Sequence, residues 1–163
     1  MATLTQDDLR CAVNTFFDQK KWLYTHPEED LYMGTMRIET PSVSQMPFSV
    51  KVLPFGFINS CTVPIAISSE CLPQIAEYLH RVNCLLLRGC FELDYQRRKC
   101  FYKMVSMTSS VCESARLNGI VEELFLVPSE MIAIFSNGIC EVQEGAEPKV
   151  VVDRIIESYR SGK

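Results

Sequence analysis

The segment spanning residues 68–105 constrains the fold most, because a helical period gives way within it to two successive strand periods. Leu72, Ile75, Ala76, Leu79 and Val82 recur at the spacing of one helix face, with Ser68 or Ser69 as the N-cap. Pro73 fits this helix only within its first turn, where the amide has no intrahelical partner, and so supports a start near residue 69. Beyond Asn83 and Gly89, Phe91, Leu93 and Tyr95 alternate with Glu92 and Asp94. After Arg97-Arg98-Lys99, the residues Cys100, Tyr102 and Met104 alternate with Phe101, Lys103 and Val105. Two alternating runs joined by a short polar turn predict an antiparallel hairpin whose tip is a solvated basic run. Its second face is mixed, since Phe101 and Val105 share it with charged residues. A second chain covering that face would explain the mixture, as would a two-layer monomer with a half-exposed phenylalanine.

The flanking segments extend this reading. A helix is predicted over 6–20, opened by a Thr5/Asp8 capping box and burying Leu9, Val13, Phe16 and Phe17. Residues 22–30, with Pro27, read as a polar connection, followed by strands near 31–39, 47–54 and 56–63 that form a meander. Pro54 and Gly56 mark the turn or bulge between the last two. A second capping box, Ser110/Glu113, opens a helix running to about Val127 with Leu117, Ile120, Val121 and Leu124 inside. Pro128 predicts a restart, and Asn137-Gly138 predicts a left-handed end to the second piece. An extra helix near 148–160 begins at Pro148 and buries Val151, Val152, Ile155 and Ile156.

The 163 residues form one domain, 1–163, and at 47% hydrophobic and 22% charged they belong to a chain that buries a core. The longest uncharged apolar runs, 84–87 and 124–127, are far short of the roughly 20 residues of a spanning helix, so no membrane contact is expected. The segment 1–8 has neither a basic leader nor an apolar stretch, which predicts a cytoplasmic location. Net charge of −4 argues against nucleic-acid binding.

Residues suited to catalysis or metal binding do not assemble into a pattern. The eight cysteines, at 11, 61, 71, 84, 90, 100, 112 and 140, form no CxxC pair, and His26 and His80 lie at no zinc-site spacing. The thiols read as small apolar residues; Cys90 and Cys100, on consecutive strands, are the pair close enough to suggest a thiol sensor. Glu28-Glu29-Asp30 and Glu122-Glu123 are adjacent in sequence and therefore read as solvated charge rather than paired acids. His80 reads as a surface histidine beside Arg81. No catalytic residue, cofactor or metal is expected.

The helix ending Tyr78-Leu79-His80-Arg81-Val82-Asn83, the spacing to Gly89, and Gly89-x-Phe91-Glu92-Leu93-Asp94 opening a strand resemble the YbjN-like family within the type III secretion chaperone-like fold. Tyr102-Lys103 on the next strand, and a serine-capped helix after it, continue the likeness. The motif residues Asn83, Gly89, Phe91, Leu93 and Asp94 have structural roles: Asn83 would end its helix in the left-handed conformation, and Gly89 would let the chain enter the sheet without a clash. The expected fold is α+β, an antiparallel sheet of about five strands flanked by helices in the order α-β-β-β-α-β-β-α(α). The resemblance implies a small cytoplasmic protein, a homodimer, that holds protein partners as a chaperone-like adaptor or regulator. Phe57, Phe101 and Val105 are the candidate partner or dimer contacts. A small-ligand-binding or thiol-sensing protein is the alternative.

Overall fold

The computed structural model describes residues 4–109 and 114–162. Helix α1 (Gln6–Lys20) is followed by strands β1 (Tyr24–Glu28), β2 (Leu31–Arg37), β3 (Gln45–Leu53) and β4 (Gly56–Val63). A short 3-10 turn (Ser69–Cys71) then leads into α2 (Leu72–Asn83), β5 (Cys90–Asp94), β6 (Lys99–Met107), α3 (Ser114–Gln143) and α4 (Pro148–Arg160). The six strands form one antiparallel sheet in the order β1-β2-β3-β4-β6-β5. The α+β class and element order agree with the sequence reading, with one strand more than expected.

That extra strand is β1, where a polar connection was predicted. Pro27 misled, because it lies in an irregular stretch of pairing between Thr25 and Glu28 on the outermost strand. A proline there removes no ladder bond. The strand is held by Tyr24, whose ring stands 4.8 Å from that of Phe17 and 5.8 Å from that of Tyr32.

Register makes the two faces of the sheet unlike. The cross-strand row Tyr32, Val50, Asn59, Met104 and the row Phe48, Cys61, Tyr102, Phe91 are buried throughout. Because alternate residues face opposite sides, the core lies entirely on this one face. Helix α1 brings Phe16 and Phe17 onto it, α2 brings Ile75, Tyr78 and Leu79, and α3 brings Leu124, Phe125 and Ile132. Helix α4 packs on α2 and α3 through Val151 and Val152. Gly34 is needed beside this core, since a β-carbon would stand 2.6 Å from the Phe48 ring.

The Thr5/Asp8 capping box forms as read, with the Thr5 amide donating to Asp8 Oδ2 at 2.8 Å. Pro73 sits in the first turn of α2 as expected, although no serine side chain caps that start. The Ser110/Glu113 box lies outside the described residues.

Helix α3 corrects the expected restart: it is one helix of 30 residues that runs through Pro128 and through Asn137-Gly138. A proline cannot donate to the carbonyl four residues back, and here that carbonyl, Leu124, accepts instead from Asn59 Nδ2 in the middle of β4. Gly138 is not the terminator. It lies against the Tyr78 ring, whose hydroxyl donates to the Phe135 carbonyl at 2.8 Å, and a β-carbon there would overlap the ring. The helix closes at Gly145, at φ +100°, where the amides of Gly145 and Ala146 reach back to Val142 and Glu141 at 3.1 and 3.0 Å. This pair of bonds is a Schellman motif.

Candidate functional site

Asn83, Gly89, Phe91, Leu93 and Asp94 come together at the β5 edge, in roles that differ partly from those expected. Asn83 stays within α2 and is not left-handed. Its side chain instead donates from Nδ2 to the Phe91 carbonyl at 2.9 Å and accepts from the Phe91 amide at 2.8 Å. One amide side chain thereby occupies both polar backbone groups that β5 turns outward there, as a neighbouring strand would. Gly89 behaves as expected: it has φ +68°, and a β-carbon would lie 2.7 Å from the Tyr102 ring. The Tyr102 hydroxyl donates to the Arg88 carbonyl alongside. Phe91 is buried, Leu93 half-buried, and Asp94 Oδ1 accepts from the Arg97 amide at 2.8 Å, shaping the turn in which Arg98 is left-handed at φ 52°. At the opposite edge, β1 carries Pro27 and the irregular pairing. Both edges are therefore blunted against an added strand.

The sheet face away from the helices carries two of the three predicted contact residues. Leu31, Lys51, Ile58 and Val105 form one cross-strand row, and Met33, Ser49, Ser60, Lys103 and Cys90 the next. Val105 is 53% exposed and Met107 63%. Phe101 lies further along, half-buried, in an open concavity of about 740 Å³ shared with Met33, Ser49, Ser60 and Thr62. Phe57 does not belong to this surface. It sits one register position from Ile58 and therefore faces the helices, fully buried, so it is a core residue and not a contact.

A second surface lies on the helical side. The Leu85-Leu86-Leu87 run between α2 and β5 faces Val127, Met131 and Ile134 of α3 and Ile155, Ile156 and Tyr159 of α4 across a groove of about 430 Å³. Leu87 is wholly exposed and Tyr159 is 71% exposed. Ile155 and Ile156, expected inside, are half-buried because they form the groove wall. The groove was not anticipated. Its sequence signal was three leucines in a connection, where burial cannot be inferred from periodicity.

The register separates the thiols that suggested a sensor. Cys90 pairs with Lys103 and faces outward, whereas Cys100 pairs with Leu93 and is buried on the helical face. Burial pushes the Cys61 and Cys100 thiols up to about 12, and raises Cys90 with help from the charge of Glu92. These are conditions opposite to those of a reactive thiolate. Among the described residues no group of three His, Cys, Asp or Glu side chains could hold a metal ion, and no helix is long and apolar enough to cross a membrane.

No protein-family model and no curated protein sequence matches the chain. A crystal structure of YbjN from E. coli, described as a putative transcription regulator, superposes with a TM-score of 0.57 at 11% identity, over 79% of this chain and 92% of that one. The chain has a YbjN-like fold. The likeness covers most of the chain, and at this identity it establishes architecture alone. Within that YbjN-like architecture, the unpaired sheet face and the helical groove belong to this chain's own side chains and must be read from them.

Proposed function

We propose that the protein is a non-enzymatic, cytoplasmic protein-interaction module, a chaperone-like adaptor or regulator that works as a homodimer without nucleic acid or cofactor. The groove carries this reading. Apart from Arg88, Glu130 and Arg160 its lining is apolar or aromatic, and Leu87 gains nothing by standing in water, so a partner that covers it recovers burial worth about 1.5–3 kcal/mol for that side chain alone. The occupant that fits is an amphipathic helix of a partner protein, with its apolar stripe in the groove and an acidic residue near Arg160 at the rim, Arg88 being already paired with Glu123 at 2.7 Å. Both sheet edges being blunted favours this mode over strand addition.

Leu87→Glu tests the reading, because a fully exposed position tolerates charge without unfolding. Capture of a defined partner by the native protein, with loss of at least tenfold in affinity for the variant at unchanged circular dichroism, supports it. Equal capture by both proteins refutes it. A volume near 430 Å³ also falls in the range of small-ligand pockets, about 300–1,000 Å³, so native mass spectrometry of the purified protein is the check on the alternative. A bound apolar small molecule displaced by Leu87→Glu would favour that alternative.

A further inference from the structure

Two charged motifs remain outside this account, Glu28-Glu29-Asp30 and Arg97-Arg98-Lys99. Their positions follow from the topology. The acidic motif is the β1–β2 turn, at one outer edge of the sheet. Because every neighbouring pair is antiparallel, β4 runs away from that end and β6 runs back toward it. The start of β6, and with it the β5–β6 turn, therefore lies at the far end. Since β5 is the other outer strand, the acidic and basic turns occupy diagonally opposite corners. Glu28 stands opposite Leu31, and Lys99 is two residues from Phe101, so both side chains belong to the open face. Arg10 of α1 holds Glu29 at 3.1 Å and Asp30 at 2.8 Å, and Asp94 holds Arg97 at 3.5 Å, so the charges left without an ion-pair partner among the described residues are Glu28 at one corner and Arg98 and Lys99 at the other. Inside the face, Lys103 and Glu92 neutralise one another at 3.3 Å, whereas Lys51, in the row with Leu31 and Ile58, is exposed and has no ion-pair partner among the described residues, so a covering copy must leave its ammonium at solvent or meet it with an acid.

The geometry points to the open sheet face as the interface with a second copy of this chain, packed face to face with the strands of the two sheets nearly perpendicular. A two-fold axis in the plane between the sheets, at right angles to the line joining the two corners, lays each acidic corner on the other copy's basic corner. Both contacts are satisfied at once, as an isologous interface requires. Strand spacing of about 4.8 Å and a rise of about 3.3 Å per residue make the face roughly 24 by 26 Å. On so nearly square a face, this axis lies near 45° to the strands and therefore sets the strands of the two copies near 90° to one another, an established way for sheets to pack. The same axis passes close to Val105 on β6, which meets its own copy, with Ile58 and Met107 beside it. The face buries about 600 Å² per chain and about 1,200 Å² in total, at the lower limit of stable interfaces. The blunted edges leave faces, not strand addition, as the route to association. This inference rests on the homodimer in the functional reading and assigns its surface.

Charge exchange tests it. Light scattering on the purified native chain is expected to give twice the mass of one chain. Arg98→Glu/Lys99→Glu and Glu28→Lys alter exposed turn residues that make no ion pair within the chain, and leave the fold intact by circular dichroism. Each alone is expected to give monomer, and mixing the two restores the dimer, because both corners then match again. Val105→Asp is expected to give monomer that mixing with either variant does not rescue. Monomeric native protein at tens of micromolar overturns the inference, as does a dimer insensitive to both charge variants, or monomeric variants that fail to recombine. Leu87→Glu distinguishes the two readings: it leaves the dimer intact if the assignment is right, whatever it does to partner capture. Native monomer that still captures its partner refutes the dimer face alone.

Discussion

Replacing Asn83 measures how far one side chain closes the β5 edge. Asn83→Ala removes two hydrogen bonds, of 2.9 and 2.8 Å, to the backbone of Phe91 and gives that backbone no other intramolecular partner. At a net 0.5–1.5 kcal/mol each, the expected loss is about 1–3 kcal/mol of unfolding free energy. For a chain of this size, this corresponds to a fall of about 3–9 °C in Tm. Asn83→Asp is the informative companion, since a carboxylate still accepts from the Phe91 amide but meets the Phe91 carbonyl with like partial charge. It should therefore lose one bond, gain a repulsion, and keep the Phe91 amide protected. Urea unfolding gives the energies, and hydrogen exchange reads the Phe91 amide directly. Faster exchange at Phe91 in the alanine variant but not in the aspartate variant is expected, together with concentration-dependent association of the alanine variant through its opened edge. A loss under about 0.5 kcal/mol, or unchanged Phe91 exchange in Asn83→Ala, would refute the account of the edge.

The remaining predictions concern the supports of the sheet and its helices. Asn59→Ala should cost about 1–3 kcal/mol beyond its cavity in the native chain, because it strands the Leu124 carbonyl; in a Pro128→Ala background, where the new alanine supplies an amide, the cost should shrink by at least about 1 kcal/mol in a double-mutant cycle. Gly138→Ala should destabilise by about 1–3 kcal/mol despite the better helix propensity of alanine, and Tyr78→Phe in the same chain should recover part of the loss, as measured by thermal unfolding. Hydrogen bonds from the Thr5 hydroxyl and amide hold the Asp8 carboxyl below its ordinary value of 3.8. A depressed carboxylate stabilises above that value and loses its contribution as pH falls through the folded one, so Thr5→Ala should flatten the fall of stability with acid below about pH 4. An unchanged acid slope would show that the capping box is not the source.

Local pattern carried much of this fold into view. The α1 boundaries, its capping box, the meander, the β5–β6 hairpin and Pro73 in the first turn of α2 all follow from neighbours within four residues. The misread parts have longer-range causes. Pro128 is tolerated because Asn59, 65 residues from Leu124 in sequence, takes the bond that the proline cannot make, and Gly138 was read as a terminator because its contact with Tyr78 is tertiary. Phe57 and Ile58 are adjacent, apolar and on one strand, yet one faces the core and the other the open face. Only the pairing register distinguishes them. The groove likewise requires α3, α4 and the 85–87 connection to meet.

The sequence by itself determined the types of the elements other than β1, because helical and strand periods, caps and proline positions act through bonds and contacts that close within a turn or a hairpin. It also supplied the two oppositely charged turns. Only the tertiary structure decided that those turns stand at opposite corners of one open face, that Asn83 seals an edge, and that three leucines border a groove. These relations depend on strand order and register, and no interaction local in sequence encodes which distant residue completes a hydrogen bond or leaves a surface uncovered.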